Sequence, residues 1–238
     1  EEIILRGLPS RVILNKLLPG SGATTAELES DFNLIMIEPY VPVIKGKAAK
    51  YKNLLGIYKG IYEDKIIAHI EKFKGRPLKF MVTPESYKRL VDVLEVHFNV
   101  YQHFRIVIDE CDRMISDVDF RKSITMPIDD FFHFDSSIFI SATPIIPSDK
   151  RFVENGFSIL KLKPDFDYRK KLDLVISNSI TAALRKRLDP ESPVPYFIFM
   201  NSTDTILALI KALNISKQST VFCSQESVRK LKGEGFTH

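Results

Sequence analysis

The sequence has no tryptophan and only two cysteines and five histidines among 238 residues. Cys111 and Cys223 lie far apart and follow no pairing pattern. That excludes a disulfide-built scaffold, gives no reason to expect a disulfide-linked partner, and suits a reducing compartment. The histidines are scattered, none at metal-ligand spacing from cysteine or carboxylate partners, so a zinc-type centre is not expected. There is no nucleophile elbow, no internal repeat and no low-complexity tract. No apolar run approaches the roughly 20 residues that span a bilayer, so no membrane partner is expected. The start, EEIILRGLPS, is acidic and lacks a signal-peptide pattern. The expected location is intracellular, in the cytoplasm. Charge of one sign is also missing: 34 Lys and Arg face 30 Asp and Glu, for a net +4 and a pI near 8.9. That mild basicity permits a nucleic-acid partner without requiring one.

What is present is an ordinary globular composition, 45% hydrophobic and 27% charged. The length suits one full domain and part of a second. Short apolar runs alternate with helical patterns. Strands are expected at 11–18, 33–39, 53–58, 78–84, 104–110 and 137–144. Helices are expected at 24–30, 64–73 and 85–98. In 64–73, Ile66, Ile67, Ile70 and Phe73 are expected on one helical face. The aromatic DDFFHF, 129–134, reads as core. Alternating strands and helices imply βαβ units, and continuously apolar strands imply a parallel sheet covered on both faces. Past residue 147 the texture changes. Residues 159–179 read as a connector plus a strand, 196–202 and 219–224 as strands, and 204–213 and 226–233 as helices. The expected organisation is a first domain over 1–148, a connector and start of a second lobe over 149–195, and a partial second domain over 196–238.

Three stretches carry chemistry. LLPGSGATT, 17–25, is either a plain strand-to-helix turn or an anion cradle. Glycines let backbone N–H groups converge on phosphate oxygens, and Thr24 or Thr25 then supplies a hydroxyl for Mg²⁺. IVIDEC, 106–111, is an apolar strand closing on two acids. These are either solvated carboxylates or a site in which Asp109 holds Mg²⁺ and Glu110 activates water. SATP, 141–144, is either a Ser/Thr-Pro turn or a set of hydroxyls that bond the acid pair and sense a nucleotide.

Their order resembles a superfamily 2 helicase of the broad DEAD-box-like group, a RecA-fold ATPase. Gly20, Ser21, Gly22, Thr24 and Thr25 match motif I. Glu38-Pro39 sits at motif Ia and Thr83-Pro84-Glu85 at motif Ib. Asp109, Glu110, Cys111 and Asp112 match motif II. Ser141, Ala142 and Thr143 match motif III, and 197–202 resembles motif IV. The resemblance implies an α/β fold: a RecA-like parallel sheet flanked by helices, then part of a second RecA-like domain. It implies ATP and Mg²⁺ as cofactors, with Gly20 to Thr25, Lys16, Ser141 and Thr143 at the nucleotide. It implies single-stranded DNA or RNA as partner, gripped through Pro39, Tyr40, Thr83, Pro84, Glu85, Asn201 and Ser202.

The sequence departs from that pattern at Ala23, which stands where the family carries its phosphate-binding lysine. Lys16, at the end of the preceding strand, is the candidate replacement. No glutamine motif precedes the loop, and nothing resembles motif V or the arginine-bearing motif VI. The ending GEGFTH fits a fragment of a longer protein. Two functions follow: an ATP-dependent helicase or translocase core, or a catalytically inactive helicase-like scaffold that binds nucleic acid or a protein. Lys45, Lys47, Lys50 and Lys52 form either a solvated surface or a phosphate track.

Overall fold

A computed structural model describes residues 7–18, 20–110, 126–142, 149–163, 173–189 and 192–231. The chain divides into two compact units, Glu1–Asp167 and Tyr168–His238.

The first unit is a sheet of seven parallel strands: β1 (Val12–Asn15), β2 (Asn33–Ile37), β3 (Leu54–Ile57), β4 (Lys79–Val82), β5 (Phe104–Asp109), β6 (Ser136–Ser141) and β7 (Ser158–Lys161). Their spatial order is β3-β4-β2-β5-β6-β1-β7. The α/β parallel-sheet expectation is met. Side chains alternate across the strands. Ile35 and Ile37 of β2 join one core with Phe80, Ile106, Ile108 and Phe139. Leu34 and Met36 join the other with Leu14, Met81, Val107 and Ile140. All four of these β2 side chains are fully buried, each contributing roughly 1.5–3 kcal/mol of transfer free energy. A strand buried on both faces needs an unbroken apolar run, which is what the sequence supplies.

Helices α1 (Ala23–Glu29) and α2 (Val41–Lys50) contribute Ala23, Leu28 and Ile44 to the second core. Contact between α2 and β3 is close: a Cβ added to Gly56 would fall 2.7 Å from Ile44 Cγ2. On the other face lie α3 (Glu63–Lys72), α4 (Pro84–Glu95), α5 (Val100–His103), α6 (Met126–Phe131) and α7 (Lys150–Glu154), which contribute Ile66, Leu90, Val100, Phe131 and Phe152 to the first core. Phe131 and Phe134 are core residues, as DDFFHF suggested, and Phe131 meets Phe139 edge-on at 4.6 Å. Ile67 is a correction: Ile66, Ile70 and Phe73 are buried, but Ile67 is exposed. One step along a helix rotates about 100°, which carries Ile67 off the face its neighbours share.

β7 extends the sheet beyond residue 148, pairing with β1 through Val12↔Ser158 to Asn15↔Lys161. In the second unit the described elements are helical: α8 (Ile180–Arg185), α9 (Thr203–Leu213), a 3₁₀ turn (Ser216–Gln218) and α10 (Gln225–Leu231). No strand forms at 196–202, the 219–224 segment carries only a single bridge residue, Thr220, and Phe197 and Phe199 are 75% and 90% exposed. An apolar run becomes a strand only where another strand satisfies its backbone, and the described residues of this unit offer none.

Candidate active site

Strand register brings the candidate groups to one edge. The carboxyl ends of β4, β2, β5, β6 and β1 lie side by side. They carry Thr83, Glu38, Asp109, Ser141 and Lys16 in that order. Ligands of open parallel sheets sit outside this edge.

Lys16 is 6% exposed and Asp109 3%. β6 separates their strands, a gap of roughly 10 Å at ordinary strand spacing, and the long lysine side chain bridges it. Lys16 Nζ lies 3.2 Å from Asp109 Oδ1 and 2.8 Å from Glu110 Oε1. Thr24 donates its hydroxyl to Asp109 Oδ2 at 2.6 Å. The Glu110 N–H donates to Asp109 Oδ1 at 3.0 Å. Glu110 adopts φ 53°, left-handed backbone that a residue other than glycine rarely takes; its side chain returns to Lys16. Burial pulls the ammonium of Lys16 down, but Asp109 and Glu110 outweigh it and hold its pKa above the ordinary value.

The loop before α1 is open. Gly20 and Gly22 have φ 77° and 90°, and a Cβ on either would meet nothing within 4 Å. Ser21 is exposed and Thr25 half-buried on the first turn of α1. Ala23 is buried in the core beneath the loop. Ser141 is fully buried, and its carbonyl accepts from the Lys16 N–H at 2.9 Å. Thr143, Cys111 and Asp112 lie outside the described residues.

Glu38 is the group that the sequence reading left out of the site. It is 2% exposed, and its Oε1 accepts from the Tyr40 N–H at 2.9 Å. Burial pushes its carboxyl up to about 8; the Tyr40 bond opposes this, Asp109 and Glu110 add to it, and Lys16 opposes it. The signal was available: NLIMIE ends an apolar strand on an acid, as IVIDE does.

Tyr40, Pro39, Thr83 and Glu85 line one groove of about 560 Å³ together with Val41, Pro42, Lys59 and Ser86. Motifs distant in sequence thus share a surface. Pro84 is buried in the first turn of α4. Thr83 donates to Ser86 Oγ at 3.1 Å, which fixes the groove wall. Asn201 and Ser202 belong to the second unit, where the Ser202 hydroxyl accepts from the Thr205 N–H at 3.2 Å and caps α9. Lys45 and Lys50 lie against the rings of Tyr58 and Tyr51, each at 5.2 Å.

The donor set fits a hard divalent cation. A carboxylate and a hydroxyl converge, while no group of three His, Cys, Asp or Glu able to hold a metal occurs among the described residues. Mg²⁺ is commonly held by one or two carboxylates, with phosphate oxygens and water completing its shell. No described helix is long and apolar enough to cross a membrane.

No family model matches the chain, and no curated protein matches it. Among solved structures it is similar to the crystal structure of a DEAD box protein from the hyperthermophile Methanococcus jannaschii. The identity is 17% and the TM-score 0.43, over 94% of this chain and 66% of that one. The chain therefore spans slightly less than two thirds of that structure, and the likeness concerns general fold alone.

Proposed function

We propose that this chain is the core of an ATP-dependent nucleic-acid helicase or translocase. The observation that carries the reading is the convergence of Lys16, Thr24, Asp109 and Glu110 beside an open glycine loop. In this reading Gly20, Ser21, Gly22 and Thr25 cradle the phosphates through backbone N–H groups and a hydroxyl. Thr24 and Asp109 hold Mg²⁺, which when bound neutralises charge on the phosphate oxygens. Glu110 orients the attacking water. Lys16 faces the phosphates in place of a lysine at position 23. Ser141 and Thr143 respond to the nucleotide. A single strand of DNA or RNA lies in the Tyr40 groove, where Pro39, Tyr40, Thr83, Pro84 and Glu85 position its backbone without reading its sequence. Asn201 and Ser202 add contacts from the second unit.

A second reading, a catalytically inactive helicase-like scaffold, is favoured by one observation: Ala23 leaves the loop without its own lysine. Binding of a fluorescent ATP analogue with Mg²⁺ separates the two. The motor reading expects saturable binding that Asp109→Ala abolishes. It also expects turnover stimulated by single-stranded nucleic acid, lost in Glu110→Gln while binding persists. A chain that binds no analogue and hydrolyses no ATP is a scaffold.

A further inference from the structure

The acid pair at the carboxyl edge is already occupied by a cation of the chain's own. Lys16 Nζ touches both Asp109 and Glu110, and Asp109 spends its second oxygen on Thr24. Those are the oxygens that a divalent cation would take at about 2.1 Å. An ammonium held about 3 Å from the same oxygens cannot share them with a double charge, because the two cations would stand within a few ångströms in a poorly solvated site. Metal entry therefore requires Lys16 to leave. A destination lies beside it: the space around Gly20 and Gly22 is open. Lysine suits such a move, being a point charge on a flexible four-carbon stem.

Building on the ATP-site reading above, we propose that Lys16 serves two anions in turn. Without ligand its ammonium fills the divalent-cation place on Asp109 and Glu110. When Mg²⁺ and nucleotide enter, it passes to the phosphates and supplies the charge that Ala23 lacks. The acid pair thereby keeps a cation of its own while empty, and bare metal is disfavoured until phosphate arrives to receive the lysine. A merely structural ion pair would behave differently, since losing it would weaken every ligand alike.

The test compares the unaltered chain with Lys16→Met in two titrations. Mn²⁺ alone is followed by the paramagnetic resonance signal of the free ion, and the fluorescent ATP analogue is titrated with Mg²⁺ present. Opposite signs are expected: Mn²⁺ binding tightens on the order of tenfold and analogue binding weakens on the order of tenfold or more. Mn²⁺ binding that is unchanged or weaker in folded Lys16→Met overturns the proposal. A measurement on the unaltered chain covers the case in which that variant does not fold: acylation of Lys16 by an amine-reactive ester, read by mass spectrometry. Lys16 should react slowly alone, faster at Mg²⁺ concentrations high enough to fill the acid pair without nucleotide, and slowly again with Mg²⁺ and the analogue. A rate indifferent to Mg²⁺ at concentrations where Mn²⁺ binds the unaltered chain refutes the exchange. Absence of analogue binding by the unaltered chain removes the ATP-site reading itself. The Mn²⁺ titration still decides whether Lys16 holds the cation place.

Discussion

Strand β5 carries a buried ion cluster at each of its two ends, and the two clusters are built differently. At its start, Arg105 donates to Glu27 at 3.0 Å, to the Leu8 carbonyl at 2.8 Å and to Ser136 Oγ at 2.8 Å, and lies 3.9 Å over the Phe32 ring. Glu27 is fully buried and also accepts from the Leu8 N–H at 2.6 Å. Lys79 donates to the Glu27 and Ser30 carbonyls at 3.0 and 2.7 Å and to the Ser30 hydroxyl at 3.1 Å. The chain closes over this cluster so tightly that a Cβ on Gly7 would fall 2.8 Å from Arg105 Nη1. At the other end of β5, Asp109 is buried, but the Glu110 side chain is 32% exposed and the loop beside it is open. Residue types are similar at both ends. What differs is whether backbone groups complete the partners or leave a place for something else. The first arrangement ties α1 to the sheet; the second leaves its charges able to change partner.

The largest expected effect tests that contrast through stability. Arg105→Met leaves Glu27 charged, buried and without its cation, and should cost about 3–5 kcal/mol. Lys16→Met should cost less, under about 2 kcal/mol, because Thr24 and the Glu110 N–H still bond Asp109 and Glu110 can turn to water. Urea unfolding of both variants measures the difference. Equal losses would mean that the carboxyl-edge cluster is as structural as the amino-edge one.

Protons sharpen the contrast next. Glu38 rises from 4.5 to about 8 in the folded chain. Between those values the folded state keeps a proton that the unfolded state has released, so its contribution to stability falls as pH rises through that window. The slope reaches at most about 1.4 kcal/mol per pH unit. Glu38→Gln keeps the neutral form at every pH and should remove this part of the decline. Urea midpoints at pH 5 and pH 8 are the measurement, and parallel pH dependence in the two proteins would show that Glu38 carries no such proton.

The parts legible from sequence were those dictated by short-range physics. Strands such as 33–37 and 104–109 announced themselves because burial on both faces demands unbroken apolar runs. The loop and acid pair were visible because each ends or follows such a strand. Residues 196–202 were misread by the same rule: an apolar run supplies the wish for a ladder but not the neighbouring strand. Helix α2 went unread because only Ile44 is fully buried on it, too little for a periodic signal. Lys16 entered the site reading only because position 23 lacks a lysine. Its contact with both acids depends on β6 lying between β1 and β5, a strand order that no local pattern encodes. Glu38 was placed at motif Ia, apart from the acid pair, because which strand lies beside β5 is not written in any local pattern.

The smallest effect belongs to Lys79, at the sealed end. Burial lowers its ammonium from 10.5 to about 8; Glu27 and Asp31 oppose the shift and Arg105 assists it. Above pH 8 the folded chain has released a proton that the unfolded chain keeps until about 10.5, so the Lys79 contribution to stability should rise with pH across that interval, opposite in sign to that of Glu38 and over a narrower window. Three oxygen acceptors, two of them carbonyls at the end of α1, hold this nitrogen, and they can accept only from the protons it retains. Lys79→Met removes both the charge and those bonds, so it should lower stability at pH 7 and abolish the rise between pH 8 and 10. Chemical denaturation at pH 8, 9 and 10 decides the matter. A rise that survives in Lys79→Met would assign it to another group and leave the amino-edge cluster without a titrating member.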